Sequence, residues 1–293
     1  MHRRTVEDRV VDTVNTGLLL LMALVTMYPF YYLIIISFNN GLDSSLGGIY
    51  FWPRAFTLSN YEKFLSDPKW LMAFGVSGLR TVVGAAITIF FTCLTAYGLA
   101  YRNLVFQKVY FSFFIIAMYT SGGLIPYYVV LRSLGLLNTF WVYVVPGAVT
   151  IFFLVIAVSF FREIPPEMEE SARIDGASDL TIFFRMILPV SKPLIAAMGL
   201  FVGVGQWNAW MDSAYFVNKD GLRTLTYRMM EVINQGMMPT DLATAERAAA
   251  ITGVTTFSIQ VTAMVIAVVP ILLVYPFLQK YFVQGIMIGS VKG

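Results

Sequence analysis

A cluster of charged side chains interrupts the apolar sequence at the stretch EESARIDGAS, residues 169–178. Glu170, Arg173 and Asp175 place two carboxylates and a guanidinium close together, a set suited to ion pairing within the chain or with a partner protein. These residue types do not indicate catalysis here, because the only histidine is His2 and the only cysteine, Cys93, lies in an apolar run. The chemistry that this stretch offers is recognition.

Motifs for the commoner catalytic chemistries are missing from the sequence. It contains no G-x-x-x-x-G-K-[ST] phosphate loop, no H-E-x-x-H zinc motif and no G-x-S-x-G nucleophile motif. Acidic residues fall almost wholly between the apolar segments, so the buried carboxylates of a proton-coupled pump are missing too. We therefore predict no catalytic residue, no metal site and no cofactor bound by this chain. Energy for any uphill transport must come from a partner.

Composition indicates a membrane protein. The 293 residues are 58% hydrophobic and 13% charged, with a mean hydropathy of +0.71, whereas soluble domains carry about 25% charged residues. Nucleic-acid binding is not expected, because the lysine and arginine residues are scattered and the net charge is only +3. Six apolar stretches are long enough to cross about 30 Å of hydrocarbon as helices. They are residues 14–38, 71–101, 109–131, 140–161, 186–210 and 255–278.

The sequence thus predicts an all-α membrane protein with six transmembrane helices, and both termini then lie on one side. Lysine and arginine favour the cytoplasm for that side, as in the short loop containing Arg102 and Lys108. Arg80 is expected at the outer interface, because residues 82–101 can span by themselves and its side chain can then extend to water. Gly199 and Gly203 form a G-x-x-x-G pattern that suits close helix packing, either within the chain or at a dimer contact.

The charged loop, residues 162–185, predicts two short helices separated by a turn. Pro165 and Pro166 favour a helix start, since the first turn needs no backbone donor, and Gly176 can take the left-handed conformation that ends a helix. Ser178 can cap a second helix, 179–188, which Pro189 would stop.

Composition leaves two interpretations of this loop open. Glu169 and Glu170 can pair with Arg173 along the first helix, whose opposite face is small and apolar. That face comprises Ile164, Met168, Ser171 and Ala172. The loop is either a solvated connector at the membrane surface or a docking helix that a soluble partner can approach closely.

The spacing of this loop resembles the EAA motif of ABC importer permeases, in which E-A-A precedes three residues, Gly, nine residues and I-x-L-P. Here the pattern reads Glu170-Ser171-Ala172, RID, Gly176, nine residues and MILP. Ser171 and Met186 are conservative departures from it. The run FFRMILPVSKP and the C-terminal QKYFVQGIMIGSVKG resemble the carbohydrate-importer branch, which includes the shorter permease of the maltose importer. The six spans extend the resemblance over nearly the whole chain.

This resemblance implies a type I ABC importer permease fold with a cytoplasmic coupling helix between transmembrane helices four and five. The implied segments are 1–70 (N-terminal segment, first helix and outer loop), 71–279 (core transmembrane domain) and 280–293 (cytoplasmic tail). In the loop, the implied ATPase contacts are Glu170, Ser171, Ala172, Asp175, Gly176, Leu188 and Pro189. In the tail, they are Gly285, Ile286, Met287, Ile288 and Gly289.

The resemblance also implies half of a translocation pathway in a bacterial cytoplasmic (inner) membrane. The implied partners are a second homologous permease subunit, two ABC ATPase subunits that bind ATP and magnesium, an extracytoplasmic solute-binding protein and membrane lipid. The implied cargo is a carbohydrate, an oligosaccharide with alginate-type chains as one candidate. Gln206, Trp207, Asn208 and Trp210 suit a sugar path because they combine aromatic faces with amides, although tryptophan is equally ordinary at a membrane interface.

Two other classes of function remain as alternatives. A stand-alone channel or facilitator for small polar solutes would need no ATPase. A membrane-embedded enzyme is disfavoured by the missing catalytic motifs.

Overall fold

The computed structural model describes residues 6–237 and 252–289, most of which are helical. In chain order the α-helices are α1 (Val6–Ser37), α2 (Gly41–Ser45), α3 (Ser59–Ser66), α4 (Pro68–Ala100), α5 (Gln107–Tyr119), α6 (Leu124–Ser133), α7 (Ile151–Arg162), α8 (Pro166–Ile174), α9 (Asp179–Ile182), α10 (Leu188–Val190), α11 (Lys192–Asn208), α12 (Met211–Phe216), α13 (Leu225–Met237) and α14 (Thr256–Gly289). Short 3-10 segments form at Phe140–Tyr143, Val145–Gly147 and Asp220–Leu222, and a π-helical turn at Phe183–Ile187. The prediction of an all-α chain is confirmed.

Helices that could span a membrane fall into two kinds. Three are long and apolar enough individually: Arg9–Ser37 within α1, α4 itself, and Thr256–Pro276 within α14. The remaining apolar stretches are bent, by 117° between α5 and α6, by 44° between the segment Phe140–Gly147 and α7, and by 79° before α11. The described residues thus hold three candidate spans, or six if each bent pair is one span. The predicted six-helix count depends on that condition.

Two of these bends have a cause in the sequence. Pro146 lies in the 3-10 segment before α7, and Pro193 lies in the first turn of α11. Proline has no backbone N–H. Pro193 therefore cannot donate a helical hydrogen bond back across the break at Ser191, and Pro146 cannot donate one within its 3-10 segment. The sharpest bend follows Gly122 and Gly123, and Gly123 has a positive φ of 81°. Glycine adopts this conformation without the steric cost that a side chain would add.

The residues divide into two compact units, Met1–Asp67 with Glu231–Val269 and Pro68–Met230 with Pro270–Gly293. The larger unit has a core where α4, α7, α11 and the π-helical turn pack together. Its most buried members include Cys93, Ala96, Leu154, Ala157, Phe183 and Met198. A Cβ at Gly199 or Gly203 would lie 3.8 Å from Ile89 or Thr81 of α4, so the G-x-x-x-G pattern packs α11 against α4 within the chain.

In the smaller unit, polar side chains fix the backbone that follows α1. Asn60 Nδ2 donates hydrogen bonds to the carbonyls of Ser37 and Asn39, at 3.0 and 2.9 Å. Arg54 Nη2 lies 2.8 Å from Asp43 Oδ1. The hydrogen bond from Arg54, together with one from Asn39, holds the pKa of the Asp43 carboxyl below its ordinary value. This pair therefore stays ionised at neutral pH.

Candidate docking helix and polar cavity

The charged loop forms the helix, turn and second helix that its sequence predicts. α8 begins at Pro166 and ends at Ile174. Gly176 has a φ of +82°, and its N–H donates to the Arg173 carbonyl at 3.0 Å, which closes the last turn. Ser178 Oγ accepts a hydrogen bond from the Thr181 N–H at 3.3 Å and so caps α9. These local predictions are confirmed.

One face of α8 packs on the core, and the other faces outward. Ile164 and Ala172 pack against the buried cluster of α4, α7 and α11. The outward surface comprises Glu170, Ser171, Ile174, Asp175 and Gly176, all exposed. The prediction that Ser171 shares the packed face is wrong: its hydroxyl donates to the Met168 carbonyl at 3.0 Å on the exposed side. We refer to this outward surface as the docking face.

Ile174 is the residue of the docking face that the sequence did not single out. Its side chain is 86% exposed, among the highest values for a large apolar residue in the described chain. Burial of this exposed apolar surface against a partner protein would be favourable, which makes Ile174 a candidate anchor. The sequence held one signal for this exposure, since Ile174 directly follows Arg173 and lies beyond the residues of the packed face.

Arg173 has a different partner from the one that helical spacing predicts. Its Nη2 lies 2.7 Å from Asp179 Oδ1, and its guanidinium lies 5.4 Å from the centre of the Tyr101 ring. Partial burial lowers the pKa of Arg173, but Asp179, Tyr101 and Glu169 among its neighbours outweigh this effect, so the pKa lies above its ordinary value. The predicted partners were Glu169 and Glu170, but the turn at Gly176 brings Asp179 closer and Arg173 pairs with it instead. The ion pair ties α8 to α9.

The second helix continues further than predicted. Pro189 was expected to stop it, but the helical path runs from Asp179 through a π-helical turn to Val190 and breaks at Ser191. Pro189 lies within this helical path, directly after the π-helical turn, where its lack of a backbone N–H removes one helical hydrogen bond without ending the helix. Ile182, Phe183 and Ile187 are fully buried, so this segment is anchored in the core. Leu188 also packs against that core.

The predicted tail contacts fall at the end of α14. Gly285, Ile286, Met287, Ile288 and Gly289 belong to its last helical turns. Residues 290–293, and residues 238–251 between the fifth and sixth predicted spans, lie outside the described chain.

Arg80 occupies a buried position, so the prediction that its side chain extends to water is wrong. The residue is 2% exposed. Its Nε donates to Gln206 Oε1 at 2.8 Å, and its Nη1 donates to the Ala209 carbonyl and to Asp212 Oδ1, both at 3.1 Å. Its Nη2 forms an ion pair with Asp212 Oδ2, and its guanidinium lies 4.6 Å from the centre of the Tyr143 ring. These contacts fix α4 to the end of α11 and to the first turn of α12.

A polar cavity opens beside this ion pair, within the larger unit. The cavity next to Arg80 measures about 420 Å³, in the usual range of roughly 300–1,000 Å³ for small-molecule sites. Its polar lining consists of Arg80, Thr88, Tyr127, Tyr143, Thr150, Gln206 and Asp212. Its aromatic lining adds Phe153, Phe201 and Phe216. We refer to this cavity as the polar cavity. A second cavity, of about 380 Å³, lies beside α8.

Of the four residues predicted to line a sugar path, the structure brings Gln206 to the polar cavity. Trp207 is buried, packs edge-on against Phe74 at 5.5 Å, and lines a separate apolar cavity. Asn208 is exposed and Trp210 is half-buried, and neither lines the polar cavity. A helix turns by about 100° per residue, so neighbouring residues at the end of α11 cannot share one face. The aromatic lining comes instead from α7, α11 and α12.

Comparison with known proteins gives consistent matches over most of the chain. Residues 88–288 match the family described as "Binding-protein-dependent transport system inner membrane component". "Protein LplC" of Bacillus subtilis (strain 168) is 40% identical over 294 residues, which cover 100% of this chain and 98% of that protein. The "Polygalacturonan/rhamnogalacturonan transport system permease protein YtcP" of the same organism is 35% identical over 289 residues, covering 98% of this chain and 100% of that protein.

A solved structure agrees with these sequence matches. It is described as a bacterial ABC transporter involved in the import of the acidic polysaccharide alginate, and it is 25% identical to this chain. The match has a TM-score of 0.87 and covers 96% of this chain and 100% of that chain. The family match also includes α8 and most of the residues that line the polar cavity. This chain therefore belongs to the family of binding-protein-dependent transport system inner membrane components.

Proposed function

We propose that this chain is the membrane-spanning subunit of a bacterial ATP-driven carbohydrate importer, located in the cytoplasmic (inner) membrane. Family membership supports dependence on an extracytoplasmic binding protein and a permease that is not itself an enzyme. The names of YtcP and of the alginate transporter support a carbohydrate cargo, and we extend this to an oligosaccharide. The chain forms half of the pathway, with a second homologous permease subunit as the other half.

The observation that carries this proposal is the two-sided packing of α8. Its docking face exposes Glu170 and Ile174 to a soluble partner, while Ala172 on the other side packs on the core. A displacement of α8 would be transmitted to α11 through the buried cluster that contains Phe183 and Ile187, since Ala172 of α8 packs against that cluster and α11 contributes to it. Two ABC ATPase subunits, which bind ATP and magnesium, would push α8 as they close and so shift the bundle between inward-open and outward-open states.

This proposal includes a membrane topology. Each bent helix pair is one span, so the chain crosses the membrane six times and both termini are cytoplasmic. The loop containing α8 then lies in the cytoplasm, where ATP is available to the partner subunits. The end of α14, from Gly285 to Gly289, is a second candidate contact with the ATPase.

ATP-dependent uptake tests the proposal directly. The complete transporter is reconstituted in vesicles, and its binding protein is enclosed or added outside. Uptake of a labelled oligosaccharide mixture is then measured with and without ATP. We expect uptake that requires ATP and that Glu170→Lys abolishes, because the substitution reverses a charge on the docking face. The matched control is Glu62→Lys in α3, which also reverses an exposed charge. Uptake that proceeds equally without ATP would identify a facilitator and contradict the proposal.

A further inference from the structure

We propose that the polar cavity is a binding subsite for an uncharged sugar unit, and that Asp212 determines this charge preference by neutralising Arg80. The inference rests on the proposed function and adds to it a site and a substrate property. It concerns one subsite of this chain, and it also names Asp212 as a specificity-determining residue.

The charges of the cavity cancel within the protein. An arginine has five N–H donors. Four of those in Arg80 are directed at Gln206, Ala209 and the two carboxylate oxygens of Asp212. The side chain of Arg80 is 3% exposed, whereas that of Asp212 is 24% exposed. The other residues that line the cavity are uncharged. A ligand therefore meets a neutral wall in which the arginine already has its counter-ion.

Polar groups without a partner line the same cavity. Among the residues that the structure describes, the hydroxyls of Tyr127 and Thr150 form no hydrogen bond, and the Gln206 amide uses only its oxygen. Two hydroxyls and an amide N–H₂ are groups that can donate to sugar hydroxyls, and the hydroxyls can also accept from them. The same cavity is lined by the aromatic rings of Phe153 and Phe201, whose centres lie 6.1 Å apart. Aromatic walls with a few convergent polar groups are typical of small-molecule sites.

The position of Gln206 depends on a glycine in the neighbouring helix. A Cβ at Gly84 would lie 3.0 Å from the side-chain amide of Gln206, which is closer than ordinary van der Waals contact. The bare backbone of Gly84 therefore leaves the room in which Gln206 lies between Arg80 and the cavity. This arrangement holds the amide at the cavity wall.

A carboxylate ligand does not suit this neutral wall. Its transfer from water must be compensated by a cation or by several strong donors, and the one cation is already paired with Asp212. Asp212→Asn would remove the counter-charge and leave Arg80 facing the cavity with a net positive charge. We therefore expect this substitution to shift the preference from uncharged sugars to uronates.

The test measures equilibrium binding to the complete transporter in lipid nanodiscs, without the binding protein. The probes are trigalacturonate and its trimethyl ester, which share the same sugar chain and differ in charge. We expect the unmodified transporter to bind the ester about tenfold tighter than the acid, and Asp212→Asn to change this ratio at least about tenfold toward the acid. The control Asp220→Asn removes an exposed aspartate that pairs with Arg228 at 3.1 Å, outside the cavity, and should leave the ratio unchanged.

A double variant separates loss of charge from loss of folding. Arg80→Gln with Asp212→Asn removes both charges, leaves no ion unpaired, and should restore the preference for the ester. Binding of the acid and the ester in the same ratio by the unmodified transporter and Asp212→Asn would overturn the inference. So would binding of neither probe by the unmodified transporter.

ATP-driven uptake, measured on the same transporter reconstituted in vesicles with its binding protein, distinguishes the two levels of failure. Absence of any ATP-driven carbohydrate uptake contradicts the proposed function. Uptake with a binding ratio that does not respond to Asp212 contradicts only the inference about the polar cavity.

Discussion

Arg80 and Arg54 each pair with an aspartate, but only Arg80 is buried. Side-chain exposure is 3% for Arg80 and 52% for Arg54. Breaking a buried pair by removing one partner costs roughly 3–5 kcal/mol, because the other charge stays desolvated, whereas a surface pair contributes about 0–1 kcal/mol. We expect Arg80→Met to lower the free energy of unfolding by about 3 kcal/mol, the low end of that range, because Asp212 is partly exposed.

Arg54→Met is the matched control and should change the free energy of unfolding by at most about 1 kcal/mol. Both variants are purified in the same detergent, and unfolding is followed by circular dichroism during heating or denaturant titration. Equal losses for the two variants would show that burial of Arg80 does not govern its contribution.

The burial of Arg80 could not be predicted from the sequence. Its partners Gln206 and Asp212 lie 126 and 132 residues further along the chain, and no local spacing relates them to α4. Hydropathy locates a charge near an apolar run, but it does not say whether the side chain faces lipid, water or another helix. By contrast, the positive φ of Gly176 follows from its place after a helical segment, which is a local signal.

At the scale of the helix, we predict that the docking face of α8 binds the ATPase through Ile174. Ile174→Glu would place a charge where we expect an apolar anchor, and the amount of ATPase that co-purifies should fall about tenfold or more. Leu46→Glu is the control, since Leu46 is 82% exposed and lies in the loop after α1, on the proposed outer side. A result in which both variants retain the ATPase equally would exclude Ile174 as an anchor.

The turn between α8 and α9 makes a second prediction. Gly176 has a φ of +82°, so alanine there costs about 1–2 kcal/mol of backbone strain even though the space around its Cβ is open. We expect Gly176→Ala to reduce ATP-dependent uptake because it disturbs the end of α8. Gly135→Ala is the control, with a φ of +68° and equally open surroundings. The two variants should have similar thermal unfolding midpoints, and a similar loss of uptake would attribute the effect to stability alone.

The helices of the charged loop could be predicted wherever the residues that start or end them lie close by in the sequence. Pro165 and Ser178 mark helix starts through their own backbone chemistry, and α8 and α9 begin where these signals indicate. The pairing of Arg173 with Asp179 required the geometry of the turn. The continuation past Pro189 required the burial of Phe183 in the core, which a sequence window does not contain.

At the scale of the whole molecule, hydropathy predicts the apolar stretches because it sums over about 20 residues and tolerates local errors. It does not predict the bend of 117° between α5 and α6, which arises from a few residues around Gly123. The side of the membrane on which every later loop lies depends on whether that pair crosses once or returns. The path of this pair therefore decides which compartment α8 faces.

Single introduced cysteines can measure this topology, because Cys93 is fully buried and gives little background. With six spans, a membrane-impermeant thiol reagent applied to intact cells, with the outer membrane permeabilised where one is present, should label the outer positions. These are Lys63→Cys, Ser133→Cys and Lys219→Cys, each at an exposed residue. Arg102→Cys and Glu167→Cys should be labelled only after the inner membrane is permeabilised.

The pattern of labelling distinguishes the alternatives for each bent pair. If α5 and α6 form a re-entrant hairpin, Ser133→Cys is protected in intact cells together with Arg102→Cys, and Glu167→Cys becomes accessible from outside. That result would place the docking face of α8 opposite the compartment that supplies ATP, and the proposed coupling would fail. If Ser133→Cys is labelled from outside and Glu167→Cys is protected, the pair crosses once despite its bend, and α8 lies where the ATPase subunits can reach it.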